Sequence, residues 1–258
     1  MIAFRPRPGT LFRAEARDYF APRDTTAAAN LVFDGGTLQY TGATASTNRN
    51  FTINAGKTAT FDITFAITTG LFVSGASIGT TGALTKTGAG ILTLSGANVH
   101  SGNTTVHAGT LKLDLSGSIS NSAAIVVGDA GSTGTHLDVT TKTGGLTIGL
   151  AQTLQGIGQI DGNTTILGTH APGNSPGLQT FNGNLAYSTG AMLNWELATN
   201  KSTDTSGVRG TDFDAVDVLN TGLFTVATGV TSNLVFNAAG STVDFAGAFW
   251  TSNHSWLA

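Results

Sequence analysis

The sequence predicts an all-β chain of short parallel strands stacked as rungs, a right-handed parallel β-helix (β-solenoid). Three observations carry this. The 258 residues include 35 Gly, 43 Thr, 18 Ser and 17 Asn, about 44% of the chain, against 27 charged residues. The apolar residues fall in short alternating runs closed by Gly, Asn or Asp, not in a helical period. Small strand-and-corner motifs recur along the chain, the mark of a repeat architecture.

Composition sets the class first. Charge at 10% is far below the usual ~25%, while 40% apolar residues are ample for a core and too many for a disordered chain. The net charge is −3, and no basic run exists outside the N-terminal arm, which argues against a nucleic-acid surface. No apolar run approaches the ~20 residues of a membrane-spanning helix, so no membrane insertion by this segment is expected. With no Cys, disulfide scaffolds, Cys-based zinc sites and thiol nucleophiles are excluded. A Cys-free chain also suits export across a membrane in the unfolded state, where a premature disulfide would block passage. Glu occurs twice (Glu15, Glu196) and Lys five times, whereas Thr, the commonest residue, favours strands.

Residues 1–27 stand apart as a basic, poorly ordered N-terminal arm. Five of the twelve basic residues (Arg5, Arg7, Arg13, Arg17, Arg23) and three of the five prolines (Pro6, Pro8, Pro22) lie there. No apolar stretch of 7–15 residues follows, so no signal peptide is visible. Within the arm, Leu11 to Phe20 has the pattern of one or two amphipathic helical turns.

Residues 28–258 read as the solenoid. Candidate strands are Leu31-Val-Phe, Thr37-Leu-Gln-Tyr40, Phe51-Thr-Ile, Ala59-Thr-Phe-Asp-Ile63, Ile91-Leu-Thr-Leu94 and Thr110-Leu-Lys-Leu-Asp-Leu115. No proline occurs between Pro22 and Pro172, as continuous strand ladders require. Gly102-Asn-Thr-Thr-Val106 recurs 60 residues later as Gly162-Asn-Thr-Thr-Ile166, and Gly36-Thr-Leu-Gln-Tyr40 recurs as Gly109-Thr-Leu-Lys-Leu113. A similar rhythm links Gly229–Phe236 with Gly240–Phe245. Taken as three rungs of ~20 residues, the 60-residue interval predicts ten to twelve rungs and a rod roughly 50 Å long. The composition then has a cause. Corners need Gly and tolerate Asn, and stacking at ~5 Å penalises like charges while suiting Thr and Asn ladders. Right-handedness follows from the general preference of parallel strand connections.

Residues 82–113 run Gly-Ala-Leu-Thr-Lys-Thr-Gly-Ala-Gly-Ile-Leu-Thr-Leu-Ser-Gly-Ala-Asn-Val-His-Ser-Gly-Asn-Thr-Thr-Val-His-Ala-Gly-Thr-Leu-Lys-Leu. This stretch closely resembles the autotransporter-associated beta-strand repeat: a Leu-x-Lys-x-Gly-x-Gly core (Leu84, Lys86, Gly88, Gly90), a Leu-Ser-Gly-x-Asn turn (Leu94 to Asn98) and a Thr-Thr-Val-x-x-Gly-Thr-Leu close (Thr104 to Leu111). His100 stands where the family often has Tyr, and His107 where Asn is frequent. Gln155–Gly162, the Ala171-Pro-Gly-Asn-Ser-Pro-Gly177 element, Phe181–Leu185 and Gly210–Val218 resemble the stretches that follow the repeat. The resemblance implies a secreted or surface-displayed passenger of an autotransporter or anchored exoprotein, in which Ala171–Gly177 is a rung corner. It implies no enzyme activity and transfers no functional residues. The chain stops at Phe249–Ala258 in mid-repeat, so the expectation is a segment truncated at its C-terminus and flanked by further rungs of a longer exoprotein.

The candidates for chemistry are few. Asp204, Asp212, Asp214 and Asp217 are the best: carboxylates spaced by two share a strand face, as a Ca²⁺ site or a glycosidase pair requires. Because strict alternation would also put Asp212 and Asp214 beside Val216 and Val218, the reading taken is a corner plus a solvated face. His100, His107, His136, His170 and His254 are scattered and read as surface polar residues. Trp195, in the apolar run Ala191–Leu197, reads as core or cap packing, as do Trp250, Trp256 and Tyr187, over a sugar-stacking platform. Ser175 sits in a turn motif between Asn174 and Pro176, unlike a nucleophile loop. Five Asn-x-Ser/Thr sequons, at Asn50, Asn103, Asn163, Asn200 and Asn253, are what an Asn/Thr-rich chain produces by chance. No catalytic, cofactor-binding or metal-ligating residue is assigned, and no cofactor.

The functional expectation is a non-enzymatic structural or interaction segment of a bacterial surface or secreted protein, an adhesin-like stalk with a surface or glycan ligand and an extracellular location. The alternative is a carbohydrate-active β-helix, a polysaccharide hydrolase or lyase. Three or more Asp, His and Arg groups converging in one groove would favour that enzyme.

Overall fold

The computed structural model describes residues 11–14, 31–64, 70–132, 134–173, 175–200, 207–236, 241–246 and 248–251. Its 24 strands form sheets of ten, eight, four and two strands, and every strand pairing is parallel. Among the described residues there is no α-helix, only a 3₁₀ turn at Ala248–Thr251.

The chain visits the sheets in a fixed cycle. Thr153–Gly156 lies in the ten-stranded sheet, Gln159–Asp161 in the eight-stranded sheet and Thr164–Ile166 in the four-stranded sheet. Thr169–Pro172 then returns to the first sheet one rung on, beside Thr153–Gly156. Along the ten-stranded sheet the rungs are 16 residues at their shortest (Thr153 to Thr169), 20 from Leu84 to Thr104 and 39 at the longest (Met192 to Thr231). Ten strands at ~4.8 Å make a stack about 43 Å long, close to the sequence expectation.

Alternation decides what each rung buries. In Thr37–Tyr40, Thr58–Ile63 and Leu178–Asn182, buried residues alternate strictly with half-buried or exposed ones, so each strand presents one face to the core. Side chains from all four sheets meet in one buried cluster running from Phe33 to Val216. At one end it is aromatic, with Phe33, Phe51 and Phe61 at ring-centroid distances of 5.0–6.4 Å. A second small cluster joins Trp195, Leu197 and Phe213.

The third side of the stack is regular only at its ends. Leu31–Phe33 pairs with Phe51–Ile53, and four strands from Leu146–Ile148 to Phe224–Val226 form the other ladder. Between them, among the described residues, only single bridges occur: Phe51 to Ser77, Ala97 to Ser118 and Leu115 to Lys142. There a side chain replaces the ladder: buried Asn98 accepts the Ser77 N–H through Oδ1 at 2.9 Å and donates to Gly96 O at 3.0 Å. The preceding corner leaves no room for a side chain, since a Cβ on Gly75 would sit 1.9 Å from the Arg49 carbonyl oxygen.

Two expectations change. Leu11–Ala14 is not helical; it is a strand at the edge of the ten-stranded sheet, paired with Thr37–Tyr40. The recurring motifs, moreover, do not stack. Thr104–Val106 belongs to the ten-stranded sheet and its echo Thr164–Ile166 to the four-stranded one, while Thr37–Tyr40 and Thr110–Leu113 also lie in different sheets. The reason is that every face begins with the same Gly-containing corner and short strand. Motif identity therefore reports the corner, not the rung count.

Candidate interaction surface

The eight-stranded sheet carries the densest arrangement of polar side chains. Alternation turns Leu111, Leu137, Ile160 and Phe181 into the core and their neighbours outward. In register, Thr110, His136, Gln159, Thr180 and Asp217 form one outward row, and Lys112, Asp138, Asp161 and Asn182 a second. The strip spans five rungs, about 19 Å.

Its members hold one another. Asp161 accepts from His136 Nδ1 at 2.8 Å, Gln159 Nε2 at 2.6 Å and Asn182 Nδ2 at 3.0 Å; Asn182 in turn accepts from Asn220 at 2.8 Å. Asp138 accepts from the Thr140 N–H and hydroxyl at 2.9 and 2.6 Å and pairs with Lys112 Nζ at 3.2 Å. Partial burial pushes the Asp138 carboxyl up, but the Thr140 and Lys112 interactions outweigh it and hold it below the usual carboxylate range. Asp138 and Asp161 are therefore neighbouring carboxylates on adjacent rungs. Asp138, held ionised, is not arranged as a general acid, which needs a raised pKa and a free proton.

At the adjoining corner His107, Asp129 and Ser132 meet, and their order is wrong for nucleophilic catalysis. Ser132 Oγ and His107 Nδ1 both contact Asp129 Oδ1, at 2.5 Å each, so the serine proton points at the carboxylate instead of the imidazole. Ser132 Oγ also accepts the Asp129 N–H at 3.0 Å and lies 2.8 Å from the His107 carbonyl oxygen, closing the turn. Burial opposes ionisation of Asp129, but the Ser132 and His107 hydrogen bonds win and lower its pKa.

The acidic group singled out from the sequence does not converge. Asp204 lies outside the described residues. Asp212 sits in a turn, accepting from Thr199 Oγ1 at 2.8 Å and the Val208 N–H at 2.7 Å. Asp214 is buried, taking the N–H of Gly177 at 2.7 Å and of Glu196 at 2.9 Å. Burial pushes its carboxyl up to about 7. Asp217 lies outside, paired with Arg209 at 2.6 Å. The chain thus turns a corner between Asp212 and Asp217, as the alternation conflict implied. Among the described residues no three His, Asp or Glu side chains are grouped as metal ligands.

The histidines divide against expectation. His107 and His136 are at the surface, His254 lies outside the described residues, and His100 and His170 are completely buried. For these two the surface reading is wrong, because alternation carries them inward and hydrogen bonds meet both ring nitrogens. Lys86 is a further buried group that the strand reading passed over. Its Nζ donates to the carbonyls of Thr87, Gly88 and Ala108 at 2.6, 2.8 and 3.1 Å, closing a corner from inside. Burial draws its pKa down to about 7, against the attraction of Asp62. The parity of Leu84-Thr-Lys86 already placed Lys86 on the inner face with Leu84. Trp195 is core, as expected, its indole N–H donating to Asp214 O at 2.6 Å, and Tyr187 is likewise buried; Trp256 lies outside the described residues. The Ala171–Gly177 element is a rung corner, joining Thr169–Pro172 to Leu178–Asn182 across sheets.

A stack of short parallel rungs agrees with the all-β solenoid class that the repeat implied. Residues 84–113 fit the family model of the passenger-associated-transport repeat, so the chain carries an autotransporter-type passenger repeat. Over 129 residues, 48% of its length, it is 41% identical to the protein named Adhesin BmaC autotransporter of Brucella suis biovar 1 (strain 1330). The chain spans only 4% of that relative's length. No solved structure matches.

Proposed function

We propose that this chain is part of the surface-displayed or secreted passenger of an autotransporter-type protein: a closed right-handed β-helix that serves as a non-enzymatic, adhesin-like stalk. The observation that carries the reading is the passenger repeat at residues 84–113, seated inside a parallel stack that continues on both sides of it. The relative named as an adhesin autotransporter supports the same class. Flanking rungs of a longer chain and an extracellular location belong to this reading.

The strip on the eight-stranded sheet is the surface best suited to a hydroxyl-rich ligand such as a surface glycan. It is about 19 Å long and displays amides, hydroxyls and paired charges. A polysaccharide hydrolase or lyase is the second reading, favoured by the adjacent Asp138 and Asp161. The lowered Asp138 carboxyl and the three donors on Asp161 weigh against it.

The test is binding of the 258-residue chain to a glycan array and to host cells, with a parallel assay for reducing ends and unsaturated uronates released from polysaccharides. The expected result is retention on cells or glycans, reduced by Gln159→Ala with Thr180→Ala, and no product release. Turnover abolished by Asp138→Asn would replace the stalk with the enzyme, and absence of any retention would end the adhesive reading.

A further inference from the structure

His100 and His170 lie on different rungs yet are wired alike. His100 Nδ1 contacts Ser77 Oγ at 3.0 Å and Nε2 contacts Thr104 Oγ1 at 2.9 Å. Ser77 Oγ already accepts the N–H groups of Val99 and His100, at 3.0 and 3.3 Å, so its own proton goes to Nδ1. Nε2 then carries the ring proton and donates to Thr104 Oγ1, which lies 2.8 Å from Ser122 Oγ. The chain Ser77–His100–Thr104–Ser122 crosses three successive rungs.

In His170, Nε2 lies 2.7 Å from Gln179 Oε1, and the amide is oriented by its Nε2 donating to Gln155 O at 3.2 Å. Gln179 Oε1 is an acceptor, so His170 Nε2 carries the proton and Nδ1 accepts from the Tyr187 hydroxyl. His170, Gln179 and Tyr187 come from the ten-, eight- and four-stranded sheets, so this chain ties three sheets together through the core. Ring contacts with Phe181 and Tyr187, at 5.5 and 5.8 Å, complete the enclosure.

We propose that His100 and His170 are acid latches: protonation at Nδ1 sets N–H against O–H, breaks each buried chain and loosens the rungs it ties. Among the described residues no charged group faces either ring. His100 meets Ser77, Thr104 and Ser122, and His170 meets Gln179, Phe181 and Tyr187, whose phenol is itself pushed up by burial and stays neutral. Burial draws both imidazoles down to about 4. The unfolded chain, with ordinary histidines, binds more protons between about pH 4 and 6.5. Stability therefore falls as pH drops through that window and is fully recovered above it. The surface pairs His107–Asp129 and His136–Asp161 lack this wiring.

The experiment is urea unfolding of the 258-residue chain at pH 7 and pH 5, beside His100→Gln, His170→Gln and the double variant. Each latch is expected to raise the unfolding constant on the order of 10- to 30-fold at pH 5 relative to pH 7. Each single variant loses about its own share, and contributions common to all variants, Asp214 included, cancel in the comparison. Should the variants not fold, the imidazole ¹⁵N shifts of the intact protein decide. Two rings held as Nε2–H tautomers without titrating down to pH 5 support the latches. Rings at positions 100 and 170 that titrate near pH 6.5 while the fold persists overturn them, as does an unfolding constant equally pH-dependent in the double variant.

Discussion

Lys86 shows how one side chain can stand in for a piece of secondary structure. The carbonyls of Thr87, Gly88 and Ala108 converge on one corner, and the Lys86 ammonium donates to all three. Lys86→Met keeps the aliphatic stem and orphans those oxygens, so it is expected to cost about 3 kcal/mol, or ~6–12 °C in Tm, measured by calorimetry. Lys86→Arg should not rescue, because a planar fork cannot serve three converging acceptors. Position 86 was legible as inward-facing from the parity of its strand. That an inward lysine could be tolerated was not, because its partners are carbonyls that no sequence pattern marks. His100 and His170 were missed for the same reason. Their partners, Ser77 and Ser122 for His100 and Gln179 and Tyr187 for His170, come from other elements, 9 to 23 residues away.

Among the elements, the irregular third side is the most exposed to a single change. Between Ser77 and the rung that follows it, the Asn98 side chain supplies the inter-rung hydrogen bond that strands supply elsewhere. Asn98→Ala is expected to leave the Ser77 N–H unpaired and cost about 1–3 kcal/mol. Hydrogen exchange should show faster protons at Ser77 and its neighbours while Thr104–Val106 and Thr110–Leu113, held in full ladders, keep their protection. Uniform acceleration across those strands would mean that Asn98 acts on the whole stack instead. The short strands themselves were readable from alternation between Gly and Asn corners. Their assignment to sheets was not, because one corner grammar serves every face. The Gly-Asn-Thr-Thr echo therefore fell on two different sheets.

Over the whole molecule the two ends of the stack differ. Phe33, Leu38 and Tyr40 at the first rungs are buried, whereas Phe224 and Val226, in register with buried Leu185 and Tyr187, are 52% and 56% exposed. Leu234, opposite Trp195, is 53% exposed, and among the described residues no strand pairs with the outer edge of Thr231–Val235. An apolar face bordered by unpaired strand edges favours association. The 258-residue chain is expected to self-associate as concentration rises, seen by sedimentation velocity, and Phe224→Lys with Leu234→Lys to restore the monomer with little loss of Tm. A wild-type chain monomeric at high concentration would refute this. The scarcity of charge, the all-β class and the repeat at residues 84–113 followed from composition, alternation and a contiguous motif, because each is a property of near neighbours along the chain. The sheet assignment of each strand, the polar strip and the partners of the buried histidines depended on rung lengths that vary from 16 to 39 residues. With so irregular a step, the residue above or below a given side chain is set by the folded path, since stacking depends on where each corner ends.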